Sequence, residues 1–563
     1  MPNFIKSAAV IRPKRRLSPL ALLLLVFAFL MPGLVGHDPW KQDETYIFSI
    51  VHHMMQTGDW IVPQASGEPF MEKPPLYYWV AALLAKGCAA WLPPYDGARL
   101  ATGLFMATTF LFVGLTARRW WGDGHGRTAI LALMSCVGLV YESHLMLTDV
   151  PMLTGFAIAS YGFSLACERP LAGGFWLGLG VGVGFLAKGL LVPGVLGVTA
   201  LALPALFHTW RRPAYARALG IALLVAAPWL IIWPVALWLR APALFIDWFW
   251  MNNVGRFLGF SVSQLGASNN PAFWPKTLPW FAFPALPLAA LTVCRRHREI
   301  REREPLQFGL VVFAVYLGVL LVSASARNSY GLPMLAALAL LAAPSVTSLP
   351  EAFNCRADVA ARWVFTALAG FLWTIWFIMW LNGRAPNWTF LTRALPADFA
   401  MPFLPLPVVI AALATLAWML LWPRLAVLKE RGLTSFAAGL TLSWLLIATL
   451  WLPWINAAKS YRSVFTAMQP YLPAQQRHVA SISLDESASA MLLYYCDVKT
   501  IRRKTVPRGE DNALLIQDHI TGAPRNPPAG WRLVWDGARL GDHREHFWLF
   551  VPAIDSKASM HAE

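Results

Sequence analysis

Charge is scarce in this chain. Of its 563 residues only 13% are Asp, Glu, Lys or Arg, where a soluble globular protein carries about 25%. That scarcity excludes an ordinary soluble domain. Cysteine is scarce too. Cys88, Cys136, Cys167, Cys294, Cys355 and Cys496 form no C-x-x-C pair and no framework spacing, which excludes a disulfide scaffold and a zinc ribbon. Acidic residues are outnumbered, 30 against 46 Lys and Arg, for a net charge of +16. The basic excess is not the footprint of a nucleic-acid partner, because Lys and Arg collect in short segments between apolar runs, as cytoplasmic loops do.

What is abundant is apolar: 57% of residues are hydrophobic and the mean hydropathy is +0.50. A bilayer-spanning helix needs about 20 mostly apolar residues. Thirteen candidate runs fall at roughly 17–36, 97–117, 128–142, 150–167, 172–187, 190–208, 217–239, 276–294, 306–323, 330–346, 363–382, 403–421 and 433–455. The first follows Lys14, Arg15 and Arg16 and is too long for a signal-peptide core, so an uncleaved first helix is expected. A fourteenth run, 76–92, is interrupted by Lys86, Gly87 and two prolines, and reads as a re-entrant or interfacial helix. With the N-terminus inside, the Arg-rich segments at 118–127, 211–217, 295–303, 356–362 and 424–431 all fall on the cytoplasmic side. Counting 76–92 as a span would put the segment 295–303 outside, against the positive-inside rule. The reading is a polytopic α-helical membrane protein with thirteen spans over 1–455, its C-terminus outside.

The outer segments are then 37–96, a stretch near 143–149, a turn at Lys188, 240–275, 324–329, 383–402 and the tail. In the long first loop, Tyr46, Ile47, Ile50, Val51 and Met54 recur at helical spacing, which suits a helix lying in the interface. The tail, 456–563, is polar. It carries strand-like runs, "HVASISL", "NALLIQD" and "WRLVWDG", around a helix-like "ESASAMLLYY", and predicts a small α/β domain.

Ionisable groups where a chain leaves the bilayer are costly and are functional candidates by default. The outer side gathers Asp43, Glu44, Glu72, Lys73, Asp149, Lys188, Arg256 and Arg327, with Tyr330 beside the last. Each has a plain alternative: Asp43 or Asp149 as a helix cap, Lys188 snorkelling to headgroups. His52 and His53 are adjacent, so they face different sides of a helix and do not share a metal. The mixed signs carry the chemistry. A carboxylate can act as general base toward an acceptor, while Lys and Arg hold an anionic phosphate.

The stretch "DETYIFSIVHHMMQTGDWIVPQASGEPFMEKPPLYYW" resembles the first outer loop of the GT-C glycosyltransferases of the aminoarabinose (lipid A) transferase type, kin to the protein O-mannosyltransferases. "LTDVPM", "LAKGLLVPG", "NNVGRFLG" and "SASARNSYGLPML" continue the likeness in order. The resemblance implies a GT-C fold of thirteen spans with interfacial helices in loop 37–96, and inverting transfer from an undecaprenyl-phosphate sugar on the periplasmic face of the bacterial inner membrane. It implies that Asp43 is the catalytic aspartate and that Lys73, Arg256 and Tyr330 bind the donor phosphate; Glu44, adjacent to Asp43, is expected to support it. It leaves Asp149, Lys188 and Arg327 as further substrate-site candidates. Glu72 resembles a metal-binding carboxylate, but the histidine expected before the arginine is replaced by Met251, Asn252 and Asn253, so a divalent metal would have Glu72 alone.

The expected activity is transfer of 4-amino-4-deoxy-L-arabinose to a lipid A phosphate by a monomer. Another polyprenyl-phosphate sugar passed to a protein hydroxyl or envelope glycan is the alternative within the enzyme class. A transporter or lipid flippase is the alternative outside it, and would show repeats and charges at the membrane midplane. Neither is evident here.

Overall fold

In a computed structural model the described residues are 15–261, 270–396, 398–473, 478–507, 512–519, 526–542 and 545–553; Lys14 of the basic leader lies outside them. Most of these residues are helical. The first helix, α1 (Pro19–Leu30), starts at Ser18, whose Oγ accepts from the Ala21 N–H at 3.1 Å, with proline at its first position. Helix α2 (Asp43–Thr57) ends at Gly58, which takes the left-handed conformation that closes the helix. Its expected apolar stripe is buried in full: Tyr46, Ile47, Ile50, Val51 and Met54. The helix does not lie open to the interface, however. Phe48 and His52 meet the Tyr494 ring, at 4.9 and 5.2 Å between centroids, so α2 is clamped between the membrane helices and the tail.

After a short hairpin, β1 (Gln64–Ala65) and β2 (Glu68–Pro69), comes α3 (Leu76–Gly87), and then the long α4 (Pro94–Trp121). At 1.5 Å per residue the 12 residues of α3 reach about 18 Å, short of the roughly 30 Å of a hydrocarbon core. The helix formed by the interrupted run is thus shorter than such a core, as is α1, also of 12 residues.

Seven helices among the described residues are long and apolar enough to span a bilayer, or nine if two bent pairs each count as one. The pairs are Phe273–Phe281 with Ala285–Arg295, bent by 92°, and Arg431–Ile447 with Leu452–Lys459, bent by 62°. The other expected runs give shorter or less apolar helices. The run 17–36 is helical only over α1, and 128–142 breaks at Ser135–Cys136 into His125–Met134 and Val137–Glu142. The helix Asp149–Ala166 is buried along almost its whole length. It packs on other helices rather than on lipid, so its sequence is rich in Gly, Ala, Ser and Thr rather than Leu. By contrast the helix Pro405–Leu425 has only 11% of its span buried and shows Leu406, Leu413, Leu416 and Leu420 outward, as a lipid-facing helix must.

Glycine decides the packing beneath the outer face. A Cβ on Gly155 would come within 2.7 Å of the Gly180 carbonyl, and one on Gly174 or Gly178 within 2.5 Å of the Ala218 or Ala222 carbonyl. These close approaches lock Pro170–Lys188 between Asp149–Ala166 and Pro213–Arg240. They also fix the outer ends of two helices, where Asp149 and Lys188 sit.

The tail forms a five-stranded sheet: β3 (His478–Ile482), β4 (Lys499–Arg502), β5 (Leu514–His519), β6 (Trp531–Gly537) and β7 (Glu545–Pro552), ordered β4-β3-β5-β7-β6. The first three are parallel and the last two antiparallel. The three strand-like runs of the sequence lie on β3, β5 and β6, and "ESASAMLLYY" lies on the helix Glu486–Cys496, capped by Asp485.

Candidate functional site

Two cavities lie at one end of the bundle, and the candidate residues line or flank them. The larger, about 450 Å³, is polar at one end, with Glu72, Lys73, Lys188, Arg256 and Tyr330. The rest is an apolar slot between Leu191, Val195, Val198, Phe257 and Leu320. The smaller, about 380 Å³, is lined by Lys41, Asp43, Glu44, Tyr141, Glu142 and Arg327, among others. A buried bridge joins them. Lys73 Nζ donates to Tyr46 Oη at 2.8 Å, and Tyr46 Oη donates to Asp43 Oδ1 at 2.5 Å.

Asp43 opens α2, where the positive end of the helix favours a carboxylate. Burial alone would push its carboxyl up. Lys73, the hydrogen bond from Tyr46, Arg327 and Lys188 outweigh that and hold it below the usual carboxylate range. Arg327 Nη1 stands 3.5 Å from Asp43 Oδ1. The Tyr46 hydroxyl is held well above the usual tyrosine range by burial and by Asp43, so it is a neutral donor.

Lys73 is 7% exposed, and Pro74 after it restricts its backbone to extended forms. Burial and the nearby Lys188 draw its ammonium below the usual lysine range, against the pull of Asp43 and Glu72. Arg256 follows a π-helical stretch, Asp247–Gly255, where the sequence suggested only loop. Its Nη1 donates to Glu72 Oε2 at 3.2 Å, while its Nε is buried without a hydrogen-bond partner among the described residues. Lys188 Nζ donates to both oxygens of Asp149 at 2.8 Å and sits 4.4 Å from the centre of the Tyr330 ring. The pair forms where one helix starts and the other ends, which suits both dipoles.

Glu44 is turned the other way. Its Oε1 accepts from Arg99 Nε at 2.8 Å and from the Met146 N–H at 3.0 Å, and its Oε2 accepts from the Trp40 N–H at 3.1 Å. Arg99, fully buried, also reaches Asp96 Oδ1 at 2.7 Å and the carbonyls of Leu34 and His37. Glu44 thus ties the first loop to α4.

Glu72 is engaged by Arg256, and no group of three or more His, Cys, Asp or Glu among the described residues is placed to hold a metal ion. A divalent cation on Glu72 would face a guanidinium, so the residues present do not fit a metal, and no step is routed through one. Among the described residues His52 bonds Gln56 alone, at 3.4 Å.

Sequence reasoning found Asp43 and Lys73 but took Tyr46 only as part of an apolar stripe. Its place three residues after Asp43, on the same helix face, was the available signal. Arg99, Asp96 and Lys41 were missed, and their partners lie too far along the chain for spacing to reveal them.

The family model for dolichyl-phosphate-mannose-protein mannosyltransferases matches residues 72–233, beginning at Glu72. A Pseudomonas fluorescens protein named undecaprenyl phosphate-alpha-4-amino-4-deoxy-L-arabinose arabinosyl transferase 2 is 30% identical over 336 residues, 57% of this chain and 55% of that one. Its namesake from Pectobacterium carotovorum is 29% identical over 393 residues, 63% of each chain. The matches thus span a little over half the length of these curated relatives. A crystal structure of ArnT from Cupriavidus metallidurans bound to undecaprenyl phosphate superposes with a TM-score of 0.64 at 16% identity, covering 94% of this chain and 97% of that one. The chain is a multi-pass membrane protein of the GT-C fold, similar in sequence to glycosyltransferases of the aminoarabinose transferase type and, over residues 72–233, to the protein mannosyltransferases.

Proposed function

We propose that the protein transfers 4-amino-4-deoxy-L-arabinose from undecaprenyl phosphate to a lipid A phosphate at the periplasmic face of the inner membrane. The observation that carries this reading is the Lys73–Tyr46–Asp43 bridge between two unlike cavities. One offers an apolar slot with a cationic end, suited to a polyprenyl chain and its phosphate. The other presents Asp43 to an acceptor. The names of the relatives supply the sugar and the lipid carrier.

In this reading the donor phosphate lies against Lys73, Arg256 and Tyr330, with Lys188 beside them, and the unpartnered Arg256 Nε has an oxygen to meet. An acceptor oxygen attacks the anomeric carbon from the Asp43 side. The bond from that carbon to the phosphate oxygen breaks, the configuration inverts, and undecaprenyl phosphate leaves. Any proton on the acceptor passes to Asp43, whose carboxyl stays ionised for the purpose. Lys73 and Arg256 take up the charge on the departing phosphate, and the lipid slot supplies proximity. Arg327, beside Asp43, is positioned to draw in an anionic acceptor.

The topology that goes with it has thirteen spans over 1–455, the N-terminus inside, and 456–563 as a periplasmic domain, with the protein working as a monomer. Asp43→Asn should leave the protein folded and abolish transfer from the purified donor lipid; normal transfer would remove Asp43 from the role. Mass spectrometry of lipid A from cells with and without the protein tests the acceptor. Loss of a pentosamine is expected, and unchanged lipid A would turn the reading to a protein or glycan acceptor.

A further inference from the structure

Helix α2 begins at Asp43, yet among the described residues its preceding residue, Gln42, makes no side-chain capping bond. Within the helix, Thr45 Oγ1 donates to the Gln42 carbonyl at 2.7 Å and Glu44 Oε2 accepts from the Trp40 N–H at 3.1 Å; the tail adds a second hold. Lys41 Nζ donates to Asp485 Oδ2 at 2.9 Å and to Glu545 Oε1. The hydroxyl of Ser487 donates to the Gln42 carbonyl at 3.3 Å.

These partners are themselves well anchored. Asp485 caps the helix Glu486–Cys496 through the Ala488 N–H, at 2.7 Å, and accepts from Gln517 on β5 at 3.2 Å. Glu545 opens β7. The Lys41 side chain is 15% exposed, so these are sheltered ion pairs rather than surface ones. The grip continues upstream. Asp38 accepts from Ser460 Oγ at 2.8 Å and from Arg462 Nε at 3.0 Å, and Trp40 Nε1 donates to Asn456 at 3.0 Å. Residues 38–42, which lead into Asp43, are therefore set by residues 456–545.

We propose that the sheet unit of the tail is a working part of the transfer site: Asp485, Ser487 and Glu545 are positioning residues that aim Asp43 through Lys41 and Gln42. The inference rests on the reading of Asp43 as the base. A displacement of about 1 Å at a reacting group can cost on the order of a hundredfold in rate, so a slackened grip has a measurable effect. Lys41 also lines the Asp43 cavity, whereas Asp485, Ser487 and Glu545 do not. Changes at the latter three leave the side chains that line the cavity in place. Loss of the two carboxylates also leaves the Lys41 charge less balanced, which would favour the ionised form of Asp43 and move its acid limb to lower pH, opposite to the shift expected from a slackened chain before α2.

The test uses the full chain in lipid nanodiscs, with the aminopentose donor lipid and lipid A. The double variant Asp485→Asn with Glu545→Gln should lower kcat at least tenfold, while the Kd for undecaprenyl phosphate stays within twofold of the wild type. The acid limb of its kcat profile should move to higher pH as Asp43 slips from Tyr46 and Lys73. Lys41→Arg, which keeps both ion pairs, should retain at least half of kcat. If the double variant does not fold, Glu545→Gln alone should lower kcat at least threefold with the same split. A wild-type kcat, or a fall in kcat matched by an equal loss of undecaprenyl phosphate binding, overturns the inference. Asp43→Asn is measured in parallel: if it still transfers sugar, the reading of the site fails, and if it is inert while the grip variants are as fast as wild type, only this inference fails.

Discussion

Replacing Tyr46 by Phe removes one oxygen atom from the bridge between the two cavities. That oxygen accepts from Lys73 at 2.8 Å and donates to Asp43 at 2.5 Å, so both of its bonds are to charged groups. A hydrogen bond to a charged group contributes about 1.5–3 kcal/mol. If one such bond is worth its full amount in the transition state, kcat/KM falls roughly ten- to a hundredfold, since about 1.4 kcal/mol is tenfold. Loss of both ties need not double this, because water can enter from either cavity. The ring should stay where it is, stacked on Phe70 with centroids 4.9 Å apart, and the melting temperature in detergent should hold. The bond from Tyr46 is also one of the influences that keep the Asp43 carboxyl low. Without it that carboxyl rises, and the acid limb of the pH profile should move to higher pH. The assay is consumption of purified polyprenyl-phosphate aminopentose with lipid A present, followed by mass spectrometry across pH. A kcat/KM within twofold of the wild type at every pH would refute the bridge as a functional element.

Arg99→Met should cost about 3–5 kcal/mol, because it strands Glu44 and Asp96 as buried carboxylates without their cation; thermal unfolding in detergent measures it, and an unchanged melting temperature refutes it. In the free protein Lys73 is drawn below the usual lysine range, and its charged form is the one that holds phosphate. The kcat/KM for the donor should therefore fall as pH rises through a value below about 10.5, and Lys73→Arg should remove that limb. Because Glu72 is committed to Arg256, a chelator should leave transfer unchanged; restoration of a chelator-treated protein by a divalent cation would overturn the pairing as the working state.

How much of this was legible beforehand depends on the distance over which information must travel. Apolar runs are local, so the helical membrane class was readable from composition. Which runs span was less so: Asp149–Ala166 is rich in small and polar residues because neighbouring helices, not lipid, cover it. The Ser135–Cys136 break and the 92° bend after Phe281 depend on tertiary packing as much as on sequence. The candidate residues were legible because charge is conspicuous in an apolar chain. Their pairing was not. Glu44 and Arg99 are 55 residues apart, and Lys41 and Glu545 are 504 apart, and no spacing rule reaches that far.

The adjacent carboxylates Asp43 and Glu44 show where one-dimensional reading stops. Side by side they look like a catalytic pair, one supporting the other. On a helix, successive residues point about 100° apart, so neighbours cannot share a face. Asp43 turns to Tyr46, Arg327 and the cavities, where it keeps 28% of its side chain exposed. Glu44 turns to Arg99 and two backbone N–H groups, with 1% exposed. A carboxylate buried this deeply, with both oxygens already accepting hydrogen bonds, is not presented to a substrate in either cavity as Asp43 is. Its support for Asp43 is mechanical: it fixes the first turn of α2 to α4 from within, as Asp485 and Glu545 fix the preceding residues from outside. Two grips of opposite origin, one from the membrane bundle and one from the tail, thus converge on the single helix turn that presents Asp43.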